Sequence, residues 1–353
     1  MTLSTAGERP TPDLAAAPAP AESAPRTQTR LRRAIVWTAD MGRYLAARSI
    51  VGVADVLPRG GAVAVVRTLA FVETALSARG RSGRAEARDV MGVKGRRAAF
   101  RMTWSWISVP YIDLIDIRRV SRRREDLSTW TIEEVNRDAV YALVDAKKPV
   151  LGVGGHFSHA ALLPLSQRFP EIAPTGAVDP IEPFAFRGDV LLRRLMMGMV
   201  HGLSEVLLPG RVTKSYVGQS NVQDDLLAGL SQPGGIGMIL IDIDWKRSWA
   251  FHRPFCGYAD RGFALGATRI ARLAQVPIVM IVAERIGPRR SRVYFSDPIY
   301  PGPVDSPEND QPLMCELLDK LEGHIGRLRH AYPHPVGWAR RWNAETQRWE
   351  PRS

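Results

Sequence analysis

The stretch PVLGVGGHFSHAALLPLSQRF, residues 149–169, decides the fold. Val150, Leu151 and Val153 form a short apolar run with no polar alternation, as a strand buried on both faces of a sheet requires. Gly154 and Gly155 break the run with a tight turn, and Ser158 stands where it can open a helix over SHAALLPLSQRF. Strand, glycine turn and helix then recur. TGAVD (175–179), a helix over 188–202, SEVLLPG (204–210) and a helix near 222–231 are followed by the strand GIGMILIDID (235–244). The helix FALGATRIARLAQ (263–275), the strands PIVMIVAER (277–285) and RVYFSDPI (292–299), and a last helix at 311–332 complete the series. Such alternation predicts an α/β fold with a mainly parallel sheet flanked by helices.

Upstream, residues 29–145 read as an N-terminal helical layer on that sheet. Apolar residues recur at three and four positions through VAVVRTLAFVETAL (63–76) and AAFRMTWSWISVPYIDLIDI (98–117). Pro58 with Gly60 and Gly61 separates a first helix from a second, and GRSG at 80–83 separates the second from a third. In TWTIEEVNRDAVYALVDAKK (129–148), Thr131 reads as the N-cap of one more helix with acids in its first turn. The expected organisation is a disordered tail over 1–28, the helical region 29–145, an α/β domain over 146–335 and a tail over 336–353.

Composition narrows the function. Of 353 residues, 45% are hydrophobic and 24% charged, enough for a sizeable core and unlike a disordered or fibrous chain. Cys256 and Cys315 have no second Cys or His at metal-ligand spacing, so neither a disulfide framework nor a metal site is expected, and a reducing, cytoplasmic setting fits. No apolar secretory region opens the sequence, and no window approaches ~18 apolar residues. The best candidate, AIVWTADMGRYLAARSIVGVADVL (34–57), carries Asp40, Arg43 and Arg48 and is amphipathic, compatible with a core helix or with peripheral contact at the inner face of a membrane. The net charge is +12, and residues 79–124 hold 13 Arg and Lys against 4 Asp and Glu. Such a field attracts phosphate or forms a solvated helical face. Arg118, Arg119, Arg122, Arg123 and Arg124 are its densest part.

In open parallel sheets, active sites lie beyond the carboxyl ends of the strands. His156 and His159 are placed there, with Ser158 between them, and a histidine near neutral pKa suits a general base. Asp242 and Asp244 end a second apolar strand two residues apart, so both are expected on one face, where a polar cleft or a partner must compensate them. Arg285 ends a third strand, positioned to meet phosphate or to pair with those acids.

These features together resemble the bacterial lipid A lauroyl and myristoyl acyltransferases and the related phosphatidylinositol mannoside acyltransferases. The likeness runs from about residue 35 to 330. It is carried by the helical region, by VLGVGGHF, by the strand ending Asp242-Ile-Asp244, and by RPFCGYADRGFALGATRIARLAQVPIVMIV (253–282). The resemblance implies acyl transfer from an acyl carrier protein or coenzyme A thioester to a lipid acceptor, with no cofactor and His156 as base. In that family the histidine begins a His-x4-Asp/Glu motif whose acid orients the ring. Here the fifth residue after His156 is Ala161, and after His159 it is Pro164. An acid from elsewhere (Asp242, Asp244, Asp179 or Glu182), a more nucleophilic acceptor, or lost activity each account for the departure. Ser158 or the Gly154 and Gly155 amides are candidates to hold the oxyanion, and Arg187 or Arg285 to contact phosphate.

A second reading takes an aminoacyl-tRNA as donor and a small amine or hydroxylamine as acceptor, with the basic stretch tracking the phosphate backbone. A third is a non-catalytic membrane-surface or RNA-binding protein on the same scaffold. Other motifs fall away. Ser158 lacks the flanking glycines of a nucleophile elbow. LPGRVTKS (208–215) has a single glycine and is no phosphate loop. GVGG lacks the third glycine of a dinucleotide fingerprint.

Overall fold

The central strands carry the apolar runs and the edges do not. In this computed structural model, which describes residues 30–89, 91–158, 161–163, 174–178, 195, 199, 213–216, 222–245, 249–256, 258–332, 340–343 and 348–351, the first described elements are four helices. They are α1 (Arg30–Val56), α2 (Arg59–Leu76), α3 (Ala78–Asp89) and α4 (Arg96–Ser121). Helix α4 is the hub. Its Ile112 and Ile115 pack with Ile50, Ala54, Ala62 and Val66 of α1 and α2, and its Trp106 and Ile107 pack with Ala70 and Ala87 of α2 and α3. The break between α2 and α3 falls at the extended Ser77, not at GRSG, which lies inside α3. Those glycines serve packing. A Cβ on Gly80 would lie 2.3 Å from the Thr74 carbonyl oxygen, and one on Gly83 would lie 2.6 Å from Thr103 Cγ2.

The helical reading of 129–148 is corrected. Thr131–Val135 is a strand, β1, and the helix α5 begins only at Asp138 and runs to Asp145. The acids Glu133 and Glu134 sit in a sheet-edge strand whose backbone pairs with a neighbour, and Asn136, at φ 59°, turns the chain out of it. The sheet region therefore starts before residue 146.

The remaining elements are β2 (Val150–Gly154), β3 (Pro174–Val178), β4 (Thr213–Tyr216), α6 (Val222–Leu230), β5 (Ile236–Leu240), β6 (Phe251–Phe255), β7 (Tyr258–Phe263), α7 (Gly266–Ala274), β8 (Ile278–Gly287), β9 (Arg290–Phe295), α8 (Asp310–Arg327), β10 (Arg340–Asn343) and β11 (Arg348–Pro351). Seven strands form one sheet in the order β1-β9-β8-β2-β5-β3-β4. β8, β2, β5, β3 and β4 are mutually parallel. β9 returns antiparallel to β8, and β1 runs parallel to β9. The fold is α/β with a mostly parallel sheet, flanking helices and an N-terminal helical region.

Strand β2 is buried along its whole length. Leu151 and Val153 face one core with Leu226, Ile270, Leu317 and Leu321 of α6, α7 and α8, while Val150 faces another with Val140 and Leu143 of α5. The period of two thus splits one apolar run between two cores.

Two elements depart from expectation. Strands β6 and β7 pair antiparallel, so the helix expected from Phe263 starts at Gly266, and within the tail β10 pairs antiparallel with β11. The helix expected over 188–202 and the strand over 204–210 fall almost wholly outside the described residues. Among the described residues no single helix is long and apolar enough to cross a membrane; α2 and α3 would pass together but are bent by 79°.

Candidate active site

The parallel register of β2 and β5 builds the site. Gly154 pairs with Leu240, and each chain runs two residues past that pair, to His156 and to Asp242. The Ile241 amide donates to the Gly154 carbonyl at 2.9 Å, holding the two exits together. His156 Nδ1 then lies 2.7 Å from Asp242 Oδ1, and the His156 backbone amide donates to Asp242 Oδ2 at 2.7 Å. One carboxylate fixes both the ring and the main chain of the histidine. The approach is close on the glycine before His156: a Cβ on Gly155 would stand 3.0 Å from Asp242 Oδ2 and 3.2 Å from Leu321 Cδ1, and would press on the carboxylate.

Asp242 is fully buried, whereas the His156 side chain remains 25% exposed. A third donor meets the acid: the Tyr332 hydroxyl donates to Oδ2 at 2.7 Å. Burial, reinforced by the adjacent Asp242 charge, pushes the Tyr332 phenol well above its ordinary value, so it stays a proton donor. Its ring packs on Phe157 with centroids 4.9 Å apart. Arg261, also buried, donates to the Asp242 carbonyl at 3.0 Å and lies over the rings of Phe255, Tyr258 and Phe263. An ionised carboxylate accepting three donors is well compensated in the core.

The other acid goes elsewhere. Asp242 and Asp244 both lie beyond the end of β5, in irregular chain, and do not share a strand face. Asp244 Oδ1 accepts from the Gly262 amide at 3.1 Å and anchors β7.

Ser158 is corrected as an oxyanion holder. Its hydroxyl donates to Asp113 Oδ1 at 2.7 Å while its oxygen accepts the Ala161 amide at 3.3 Å. Ser158 opens the short turn at 161–163 and ties it to α4. Arg285 is corrected as a partner of the β5 acids. It pairs with Asp113 at 3.2 Å and Asp116 at 2.7 Å, both on α4, and not with Asp242 or Asp244. Arg59 forks onto Asp116 at 2.8 and 2.9 Å, and the two guanidiniums lie 5.6 and 5.7 Å from the Trp130 ring centroid. This network was missed in the sequence, although two acids one turn apart in the apolar run SVPYIDLIDI are a signal for it.

The arginine cluster is not one exposed track. Arg118 forks onto Asp55 at 2.9 and 2.6 Å, and that contact lowers the Asp55 carboxyl pKa. Arg119 pairs with Glu125 at 3.2 Å and caps the Ala54 and Leu57 carbonyls at the end of α1. Arg124 also bonds the Asp55 carbonyl, so three of the five tie α4 and the turn after it to α1; Arg122, Arg123 and Arg124 are exposed. His159, Arg187, Asp179 and Glu182 lie outside the described residues.

A cleft of about 490 Å³ separates α2 and α4 from the end of β8. Val63, Trp104, Val109, Ile112 and Ile286 give it apolar walls, Arg59 and Arg285 line it, and it reaches Ser158, two residues from His156. His330 stands at its mouth, with Nε2 3.2 Å from the buried Glu284. Burial pushes the Cys256 thiol up to about 12, which leaves it protonated and inert near neutral pH. Among the described residues no cluster of three His, Cys, Asp or Glu side chains could hold a metal ion.

Among solved structures, the chain is similar to the 1-acyl-sn-glycerophosphate (LPA) acyltransferase PlsC from Thermotoga maritima. The TM-score is 0.35 and the identity 11%, over 74% of this chain and 95% of that one. A likeness that weak decides nothing about activity. No family model and no curated protein matches the chain.

Proposed function

We propose that the chain is an acyltransferase in which His156, oriented by Asp242, is the general base. The observation that carries this reading is the 2.7 Å contact between His156 Nδ1 and Asp242 Oδ1, on a side chain that stays partly exposed. With Nδ1–H donated to Asp242, the basic lone pair is on Nε2. The acceptor's O–H or N–H gives its proton to Nε2 as the acceptor attacks the carbonyl carbon of an activated ester. Asp242 stabilises the imidazolium that forms. Collapse of the tetrahedral intermediate expels the thiolate or alkoxide, which takes the proton back from His156. Ser158 does not serve as a nucleophile in this scheme, because its hydroxyl is donated to Asp113.

The apolar walls of the cleft suit an acyl chain, and the cleft reaches Ser158, two positions along the chain from His156. Together with the resemblance in VLGVGGHF and in the strand ending Asp242-Ile-Asp244, this favours a thioester donor and a lipid or other hydroxyl-bearing acceptor. The test is thiol release and product mass from a panel of acyl thioesters and acceptors, with wild-type and His156→Ala proteins. Loss of a general base predicts at least a ~10²-fold fall in transfer with the circular dichroism unchanged. Near-wild-type transfer by a folded His156→Ala protein would end the assignment.

A further inference from the structure

Helix α2 carries a face that the fold does not use. Ala62, Val66, Ala70 and Thr74 point into the helical layer and are buried. Val65, Leu69, Phe71, Val72 and Leu76 are instead between 37% and 73% exposed. At 3.6 residues per turn these five fall within an arc of roughly 160°, which they share with only glycine, alanine and threonine. No charged residue interrupts it. Single exposed apolar residues are ordinary, but a contiguous face of them along one helix marks a surface that something else covers.

The border of this face indicates what covers it. One edge is aromatic. Phe71 packs on Phe100 and Trp104 of α4, with ring centroids 5.2 and 5.8 Å apart, and the Trp104 indole N–H donates to the Arg67 carbonyl at 2.9 Å. Rings with an apolar body and a satisfied polar end suit the boundary between hydrocarbon and water. The same edge is cationic. Arg67 lies over the Trp104 ring at 5.1 Å, and Arg97 and Arg101 stand one turn apart on α4. All three are exposed, and among the described residues none forms an ion pair. The one acid of α2, Glu73, is taken up by Tyr111 at 2.6 Å and Arg79 at 3.1 Å. Arginine stems lie along apolar surface while their charges reach the polar layer above it.

We infer that α2 lies in the surface of an anionic phospholipid bilayer, with its uncharged arc among the acyl chains and Arg67, Arg97 and Arg101 at the phosphates. Charge complementarity selects this occupant over a second copy of the chain. A two-fold contact through α2 would bring two cationic borders together, on a chain whose net charge is +12. The helix lies along the bilayer and does not cross it, because α3 follows at a 79° bend and carries Arg79, Arg81, Arg84 and Arg88. Helix α2 also gives Val63 and Arg67 to the wall of the cleft, so docking sets the cleft beside the lipid surface. None of this depends on the chemistry at His156.

The experiment sediments the full chain with vesicles of phosphatidylcholine alone and of equal parts phosphatidylcholine and phosphatidylglycerol, at low and physiological salt, beside light scattering of the protein alone. The wild type is expected to partition about tenfold or more strongly into the anionic vesicles and to lose part of that advantage as salt rises. Leu69→Glu/Leu76→Glu, at exposed positions, should lose about tenfold or more in partitioning. The uncharged Leu69→Ser/Leu76→Ser should lose roughly threefold to tenfold with its circular dichroism unchanged, which separates docking from folding and from charge repulsion. Arg97→Gln/Arg101→Gln should narrow the difference between the two vesicles by about tenfold. His156→Ala should sediment as the wild type does. Wild-type protein left in solution beside anionic vesicles, or both leucine variants partitioning as the wild type does, overturns the inference. A dimer that Leu69→Glu/Leu76→Glu makes monomeric, with no vesicle binding, overturns it too and assigns the face to a contact between copies.

Discussion

Replacing Asp242 with Asn keeps the shape of the side chain and removes one charge, which isolates what the carboxylate does. Asp242 accepts from the His156 ring, the His156 amide and the Tyr332 hydroxyl, each at 2.7 Å. An Asn can keep the last two on its single oxygen, but its NH2 must then face Nδ1. Two donors cannot meet, so the ring switches tautomer, Nδ1 becomes the acceptor and the proton moves to Nε2. The base is lost although the geometry survives. Tautomer reversal of this kind costs roughly 10³–10⁴ in rate, or about 4–5 kcal/mol of barrier. The cost in stability is smaller. Two hydrogen bonds weaken from charged to neutral strength and one is remade, a loss of about 1–3 kcal/mol. Transfer rates and urea midpoints would be measured together. The ¹⁵N resonances of the imidazole report the tautomer without any knowledge of the substrate. An Asp242→Asn protein that transfers within about tenfold of wild type, or whose His156 keeps its proton on Nδ1, refutes the orienting role.

Tyr332→Phe keeps the ring packed on Phe157 and deletes one donor to Asp242. Its transfer rate should fall by only about threefold to tenfold, with ~1–3 kcal/mol lost in urea melts; a defect as large as that of Asp242→Asn would mean that Tyr332 touches the reaction itself. His324 offers a pH test away from the site. Burial lowers its pKa from 6.5 to about 4, so the folded state binds fewer protons than the unfolded state across that window. The stability it contributes is complete above 6.5 and is lost as pH falls toward 4. Urea titrations of His324→Gln should show a shallower decline over that window than the wild type, and parallel declines would contradict the assignment.

Most of the sheet was legible because the central strands VLGVG, GMIL and IVMIV are apolar without alternation, a pattern that tertiary packing seldom overrides. The failures have physical causes. Thr131–Val135 mixes two β-branched ends with two glutamates, and only its pairing with β9, more than 150 residues away, makes it a strand. The glycines of GRSG read as a break, yet they are small so that α3 can lie close to the end of α2 and to Thr103. The run of arginines after Ile117 read as a solvated or phosphate-binding face because its partner Asp55 is 63 positions earlier. Charge runs show where fields are strong, and they do not show which of the charges are already paired.

At the site, a histidine after a glycine turn and an acid ending a buried strand were each visible in the chain. Their meeting depends on strand order, since only β5 lying beside β2 brings Asp242 to His156. Tyr332, beyond the last helix, carried no local signal at all. The same geometry explains why the fifth residue after His156 is not an acid. Ala161 is fully buried and packs with Val140, Leu143, Val150 and Val279, a cluster distinct from the one that contains Phe157 and Tyr332. A carboxylate there would be a buried charge among aliphatic side chains, costing several kcal/mol without a partner. Asp242 meets its three donors from the neighbouring strand and orients both the ring and the backbone of His156. With the acid supplied by the sheet, the turn after Ser158 is available for core packing and for the link through Asp113 to α4.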